Sequence, residues 1–236
     1  MSRTEEVLNE LSTAIQSTDL NTHAQRKLSK KGFTFSDLPV NEQILIWDKV
    51  WKSSPSFWHK VQAFFYCESL LKRPDKLKLI WPIIKEWQGY VHDWGSCDCL
   101  SKIYSKVLEE KEKLVLPTLK EWNHSDDPWK RRQSIVSLLY YHSVRKKFLP
   151  YEVMIEMVHN LVDDPDYYVQ KGIGWTLREL YRTYPQKTLA YFYENADKLS
   201  STSFSTFSKV LNKVDKDKII SLRKKTKKTS HNKSYR

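Results

Sequence analysis

A chain of 236 residues with 40% hydrophobic and 13% aromatic side chains can bury a substantial core, which excludes an intrinsically disordered protein. The formal net charge is +12, and removing the seven unopposed cations Arg223, Lys224, Lys225, Lys227, Lys228, Lys233 and Arg236 still leaves the body at +5. A basic body with a basic tail points to a polyanionic partner, DNA or RNA by default, while charge alone leaves a solvated Lys-rich surface equally open.

Along the chain, nearly every segment has helical period and strand signals are scarce. Val7, Leu8, Leu11, Ala14 and Ile15 form the first apolar stripe; Ile135, Val136, Leu138 and Leu139 form another, and Val153, Met154, Met157, Val158 and Leu161 a third. Ser54-Pro55, Asp127-Pro128 and Asp164-Pro165 are predicted helix starts, because the side-chain oxygen caps free N–H groups and Pro at the first position sacrifices no bond. Pro117, within an apolar run, is predicted to kink a helix or begin one. Trp58 and Trp87 are expected in the core.

Trp58, Trp94, Trp129 and Tyr168 each stand near the start of a helix with a polar first turn, separated by 36, 35 and 39 residues. That interval is the period of paired-helix solenoids. The predicted fold is an all-α, HEAT-like or armadillo-like superhelix: one domain over 1–222, and a flexible basic tail over 223–236. The final helices are placed around Phe204–Leu211 and Asp215–Leu222.

The five glycines make neither G-x-G-x-x-G nor G-x-x-x-x-G-K, so neither a nucleotide cofactor nor any other cofactor is expected. Cys67, Cys97 and Cys99 cannot build a disulfide framework and suit a reducing compartment; even with His92 nearby, no metal site is expected. No apolar run approaches the roughly 18 residues of a membrane span, and Met1–Glu6 lacks a signal-peptide core. A soluble, cytoplasmic monomer is the expectation, nucleoid-associated in a prokaryote.

Trp94 and Asp98 are four apart, which puts an indole and a carboxylate on one helix face. If the repeats stack in register, Lys60, Lys102, Arg131, Arg132, Lys171, Trp175 and Arg178 join them on a concave surface. The cations would neutralise phosphates and the rings would pack on sugar or base. A carboxylate among phosphates is then anomalous unless it stabilises a positive charge, such as the oxocarbenium-like sugar formed when an N-glycosidic bond breaks. The plainer alternatives remain: Asp98 as a cap or an ion-pair partner of Lys102, and Arg131-Arg132 as a solvated helix start.

Three pieces, Trp94-x-x-x-Asp98, Trp129-Lys130-Arg131-Arg132 and the string from Gln170 to Glu179 (Q-K-G-I-G-W-T-L-R-E), resemble the AlkD-type DNA alkylation repair glycosylases. The resemblance covers about Thr22 to Leu211 and implies excision of cationic N3- and N7-alkylpurines from double-stranded DNA. It would make Asp98 the carboxylate that supports the sugar cation and attacking water, Trp94 and Trp175 the aromatic pair on the deoxyribose, and Arg132 a phosphate contact. The sequence departs from the family's pattern in having Arg26-Lys27-Leu28 where a Tyr is expected, and Gly95-Ser96-Cys97 after Trp94. The alternatives are a non-catalytic binder of duplex or branched DNA and a HEAT-type protein scaffold.

Overall fold

A computed structural model describes residues 3–233, with side chains through Lys224. Among the described residues it contains thirteen α-helices, three short 3₁₀ turns and no strand, so the all-α helical-repeat expectation holds. The chain divides into two compact units, 1–115 and 116–236, within the stretch read from sequence as one domain plus tail. No helix among the described residues is long and apolar enough to cross a membrane.

The first unit carries α1 (Arg3–Gln16), α2 (Thr22–Lys31), α3 (Val40–Ser53), α4 (Phe57–Ser69), α5 (Pro74–Ile84) and α6 (Trp94–Glu110). Helices α1, α3 and α5 pack on one another in sequence order, and α2, α4 and α6 form a second row beside them. Val7, Leu11 and Ile15 of α1 are buried, as the first stripe predicts. Trp51 stacks on Trp87 at 4.7 Å, and each indole N–H has an acceptor: the Trp87 carbonyl at 2.9 Å and Asp48 at 2.8 Å. Trp87 is therefore core, whereas Trp58 is half-buried, edge-on to Phe57.

Helix α7 (Glu112–Asn123) runs through Pro117, and the boundary between the units lies just ahead of that residue. The second unit continues with α8 (Pro128–Leu139), α9 (Tyr151–His159), α10 (Tyr167–Thr183), α11 (Pro185–Glu194), α12 (Ser201–Phe207) and α13 (Lys213–Lys233). Ile135, Val136, Leu138 and Leu139 are all buried, and α9 buries Met154, Met157 and Val158. Helix α13 extends into the stretch 223–236 read as a tail, of which residues 234–236 lie outside the described residues.

The repeat is visible in the bonding. Trp51 reaches the Trp87 carbonyl across 36 residues, Arg132 the Tyr168 carbonyl across 36, Trp175 the Tyr140 carbonyl across 35 and Asn123 the Met157 carbonyl across 34. Bonds one period apart are what neighbouring copies of one unit make. The aromatic markers also keep their register. Trp94 is the first residue of its helix, and Trp58, Trp129 and Tyr168 are the second of theirs.

Of the three predicted caps, one is correct as placed. Asp127 accepts from Trp129 N at 2.8 Å and Pro128 opens α8. Helix α10 starts two residues later than Asp164-Pro165 suggests, capped by Asp166, because Asp164 receives the Arg131 guanidinium and the Asp166 N–H. Likewise α4 starts after Ser56, while Ser54 accepts from Ser56 N and bonds His59.

Helix α10 is clasped between α8 and α12 through its two glycines. A Cβ on Gly172 would lie 3.2 Å from Cγ of Arg132, and one on Gly174 would lie 2.6 Å from both the Ser203 carbonyl and the Thr206 Cβ. Gln170 adds bonds to the Val162 and Asp164 carbonyls and accepts from Ser200 and Ser203. Much of the Gln170–Glu179 string is thus a packing signature. Gly174→Ala should cost about 2 kcal/mol through overpacking against backbone and lower the thermal midpoint by roughly 6 °C. An unchanged midpoint by calorimetry would mean α12 does not approach that closely.

Candidate DNA-facing site

In the first unit the site is built at the start of α6. Asp93 caps this helix, its carboxylate accepting from Ser96 N at 2.8 Å and Ser96 Oγ at 2.7 Å. Asp93 is thereby the cap of α6, and Asp98 lies within the helix. Trp94, the first helical residue, is 60% exposed, which no core role explains. Asp98 lies one turn on, half-buried and outside the core. Phe57 of α4 packs against Gly95, whose missing side chain leaves room for the ring: a Cβ there would be 3.0 Å from it.

The basic residues of this unit are held in place. Lys60 donates to the Tyr90 carbonyl at 2.8 Å and sits 5.5 Å from the Trp51 ring; burial lowers its pKa, opposed by the charge of Asp93. Lys102, one turn beyond Asp98, pairs with Glu68, which also pairs with Arg26. Burial and then the Arg26 charge lower the Lys102 pKa. Glu68 is thus an ion-pair partner shared by Lys102 and Arg26. Arg26 lays its guanidinium over the Phe65 ring at 4.3 Å. Cys97 is buried, and the Cys99 thiol is pushed up to about 12 by burial, with Asp98 and Asp93 adding to it, so neither is a ready thiolate.

The second unit offers a separate aromatic and basic surface. The Trp175 indole N–H donates to the Tyr140 carbonyl at 2.6 Å, and its ring meets Tyr140 at 5.6 Å and Tyr141 at 5.1 Å. Tyr140 closes α8 with φ of 38° and ψ of −81°, a conformation costly for a residue with a Cβ. The strain aims a carbonyl at Trp175 and so fixes the indole. Arg178 covers the Trp175 ring at 5.2 Å and is held by Glu179 at 3.1 Å. At the starts of α8 and α10, Trp129, Tyr168 and Tyr167 make a ladder with centroids 4.9 and 5.3 Å apart, and Lys171 lies 6.0 Å from the Tyr167 ring.

The arginine pair departs from its expected exposure. Arg131 is committed to Asp164 at 2.5 and 3.2 Å and to the carbonyls of Ser125 and Asp126, each at 2.9 Å. Arg132 is only 4% exposed, its stem over Gly172 and its Nη1 on the Tyr168 carbonyl at 2.8 Å. Both brace the turn that presents Tyr167 and Tyr168. Residues that sequence reasoning missed are Tyr140 and Tyr141; the available signal was their separation from Trp175 by about one repeat.

The sequence profile described as "DNA alkylation repair enzyme" matches residues 12–209. No curated protein is detectably similar in sequence. Among solved structures, AlkD2 from Streptococcus mutans superposes with a TM-score of 0.61 at 18% identity, covering 89% of this chain and 99% of that one. Smu.31 from Streptococcus mutans UA159 gives 0.58 at 18% identity, covering 89% and 100%. These structural likenesses support the helical-repeat fold, and the profile spans most of the chain. The chain belongs to the DNA alkylation repair enzyme family.

Proposed function

We propose that the protein is a DNA glycosylase that removes cationic N3- or N7-alkylpurines from duplex DNA. The observation that carries this reading is the α6 surface, where Asp98 lies one turn from a Trp94 ring that is 60% exposed. Alkylation places a positive charge on the purine and weakens the C1′–N bond. When that bond breaks, its electron pair leaves with the purine, which departs neutral, and the cation develops on the deoxyribose. The Asp98 carboxylate stabilises that cation and accepts a hydrogen bond from the water that attacks C1′. The water's surplus proton passes to solvent, so the carboxylate emerges unchanged. Trp94 and Lys60 in the first unit, and Trp175, Lys171 and Arg178 in the second, each offer the DNA a ring face and phosphate contacts. Arg131 and Arg132 position Tyr167 and Tyr168.

The test is release of 7-methylguanine or 3-methyladenine from methylated duplex DNA, measured by chromatography of the free base. Release above the spontaneous rate supports the reading. A second reading, a non-catalytic binder of duplex or branched DNA, is favoured by one observation: in the Arg26-Lys27-Leu28 stretch, where the resemblance implies a Tyr, Arg26 pairs with Glu68 and lies over Phe65. It requires salt-sensitive duplex binding with no base release from either adduct.

A further inference from the structure

The first unit holds a cavity of about 240 Å³ between α2, α3 and α4, apart from the Trp94–Asp98 surface. Its walls include Arg26, Lys30, Phe33, Trp47, Tyr66 and Glu68. We propose that this cavity binds one nucleotide, with its base against the aromatic wall and its phosphate on Lys30 and Arg26.

The volume is about eight times the roughly 30 Å³ of a liquid water, room for a single heteroaromatic ring system and more than a bare phosphate needs. The aromatic wall is continuous: Trp47 lies 6.0 Å from Tyr66, nearly parallel at 29°, and 5.7 Å from Phe33, edge-on at 77°. Trp47 is only 3% exposed, and its indole N–H has no hydrogen-bond partner in the protein. Arg26 and Lys30 are one turn apart on α2 and so share a face. Two cations, Arg26 and Lys30, line the cavity with the carboxylate Glu68, and Glu68 is already paired with Arg26 and with Lys102 outside it. That excess repels a cationic alkylpurine and suits an anion joined to a planar ring. The inference does not depend on base excision, because Asp98 is not among the residues that line the cavity.

The experiment titrates the full-length protein with dAMP, deoxyadenosine and deoxyribose 5-phosphate by calorimetry. We expect dAMP to bind at least about fivefold more tightly than either fragment, the lower end of what one base gains by stacking on aromatic side chains. Lys30→Glu, which reverses a charge on an exposed residue, and Ser69→Trp, which fills the exposed mouth, should each weaken dAMP at least about fivefold without moving the thermal midpoint. A duplex with one unpaired adenine that displaces dAMP, where the paired duplex does not, identifies a nucleotide of a DNA strand as the occupant; displacement by neither identifies the free nucleotide. The proposal is overturned if dAMP does not bind, if deoxyribose 5-phosphate binds equally well, or if both variants bind as the parent does. Asp98→Asn should leave dAMP binding intact, so failure of the glycosylase reading and failure of this one are separable.

Discussion

Replacing Asp98 by Asn is expected to lower release of 7-methylguanine from methylated duplex DNA by about 100- to 1,000-fold, the range for removing one fixed electrostatic stabiliser of a transition state. Asn has nearly the same size and keeps an acceptor oxygen, so α6 and its Asp93 cap should be unaffected. What is removed is the negative charge that the sugar cation needs. Duplex affinity should stay level or rise slightly, because a carboxylate facing phosphates opposes binding. The measurement is single-turnover base release alongside binding to an undamaged duplex. Equal release by parent and variant would remove Asp98 from the chemistry, whereas loss of both release and binding would make it structural. Trp94→Ala separates the roles further. It should weaken engagement of the damaged duplex while leaving the carboxylate in place, so single-turnover rates at saturating protein should fall less than with Asp98→Asn.

The helical repeat was legible because burial imposes a period on the apolar residues, and the aromatic markers at 58, 94, 129 and 168 keep one register near helix starts. Asp127 could be read as a cap because its side chain bonds only locally. Asp164 could not be dismissed as one, because its carboxylate is claimed by Arg131, 33 residues away. The same long-range accounting hid the fate of the arginine pair. Arg132 can lie buried only because Gly172, on another helix, leaves space for its stem. Trp94 and Asp98 were readable as a pair since i and i+4 share a face on any helix. The ring cluster around Trp175 was not, because it depends on a left-handed Tyr140 that no propensity anticipates.

The largest stability effect is expected at Glu179, the last residue of the string that also carries Trp175. Its side chain is fully buried and accepts from His142 N and Nδ1 at 3.2 and 2.7 Å, Arg178 Nε at 3.1 Å and Arg182 Nη1 at 2.8 Å. Burial alone would raise its pKa, but the bonds from His142 and Arg178 and the charge of Arg182 outweigh it and hold the carboxyl below its ordinary value. A folded pKa below the unfolded one means the unfolded chain takes up the proton more readily. The stabilisation is therefore complete above the ordinary value of 4.5 and is lost as pH falls through the folded pKa beneath it. Glu179→Gln removes the charge and turns an amide donor toward groups that are themselves donors. It should cost about 3 kcal/mol at neutral pH by urea unfolding, and the gap from the parent should shrink at acidic pH below 4.5. A gap that is the same at both pH values would show that size and shape, not charge, hold this corner together. The loss should also reach the DNA-facing surface. Arg178 is kept over the Trp175 ring partly by Glu179, so the variant should bind duplex DNA more weakly even at temperatures where it remains folded. If affinity is unchanged in the folded variant, Arg178 holds its place through the ring alone, and the carboxylate contributes stability without positioning the site.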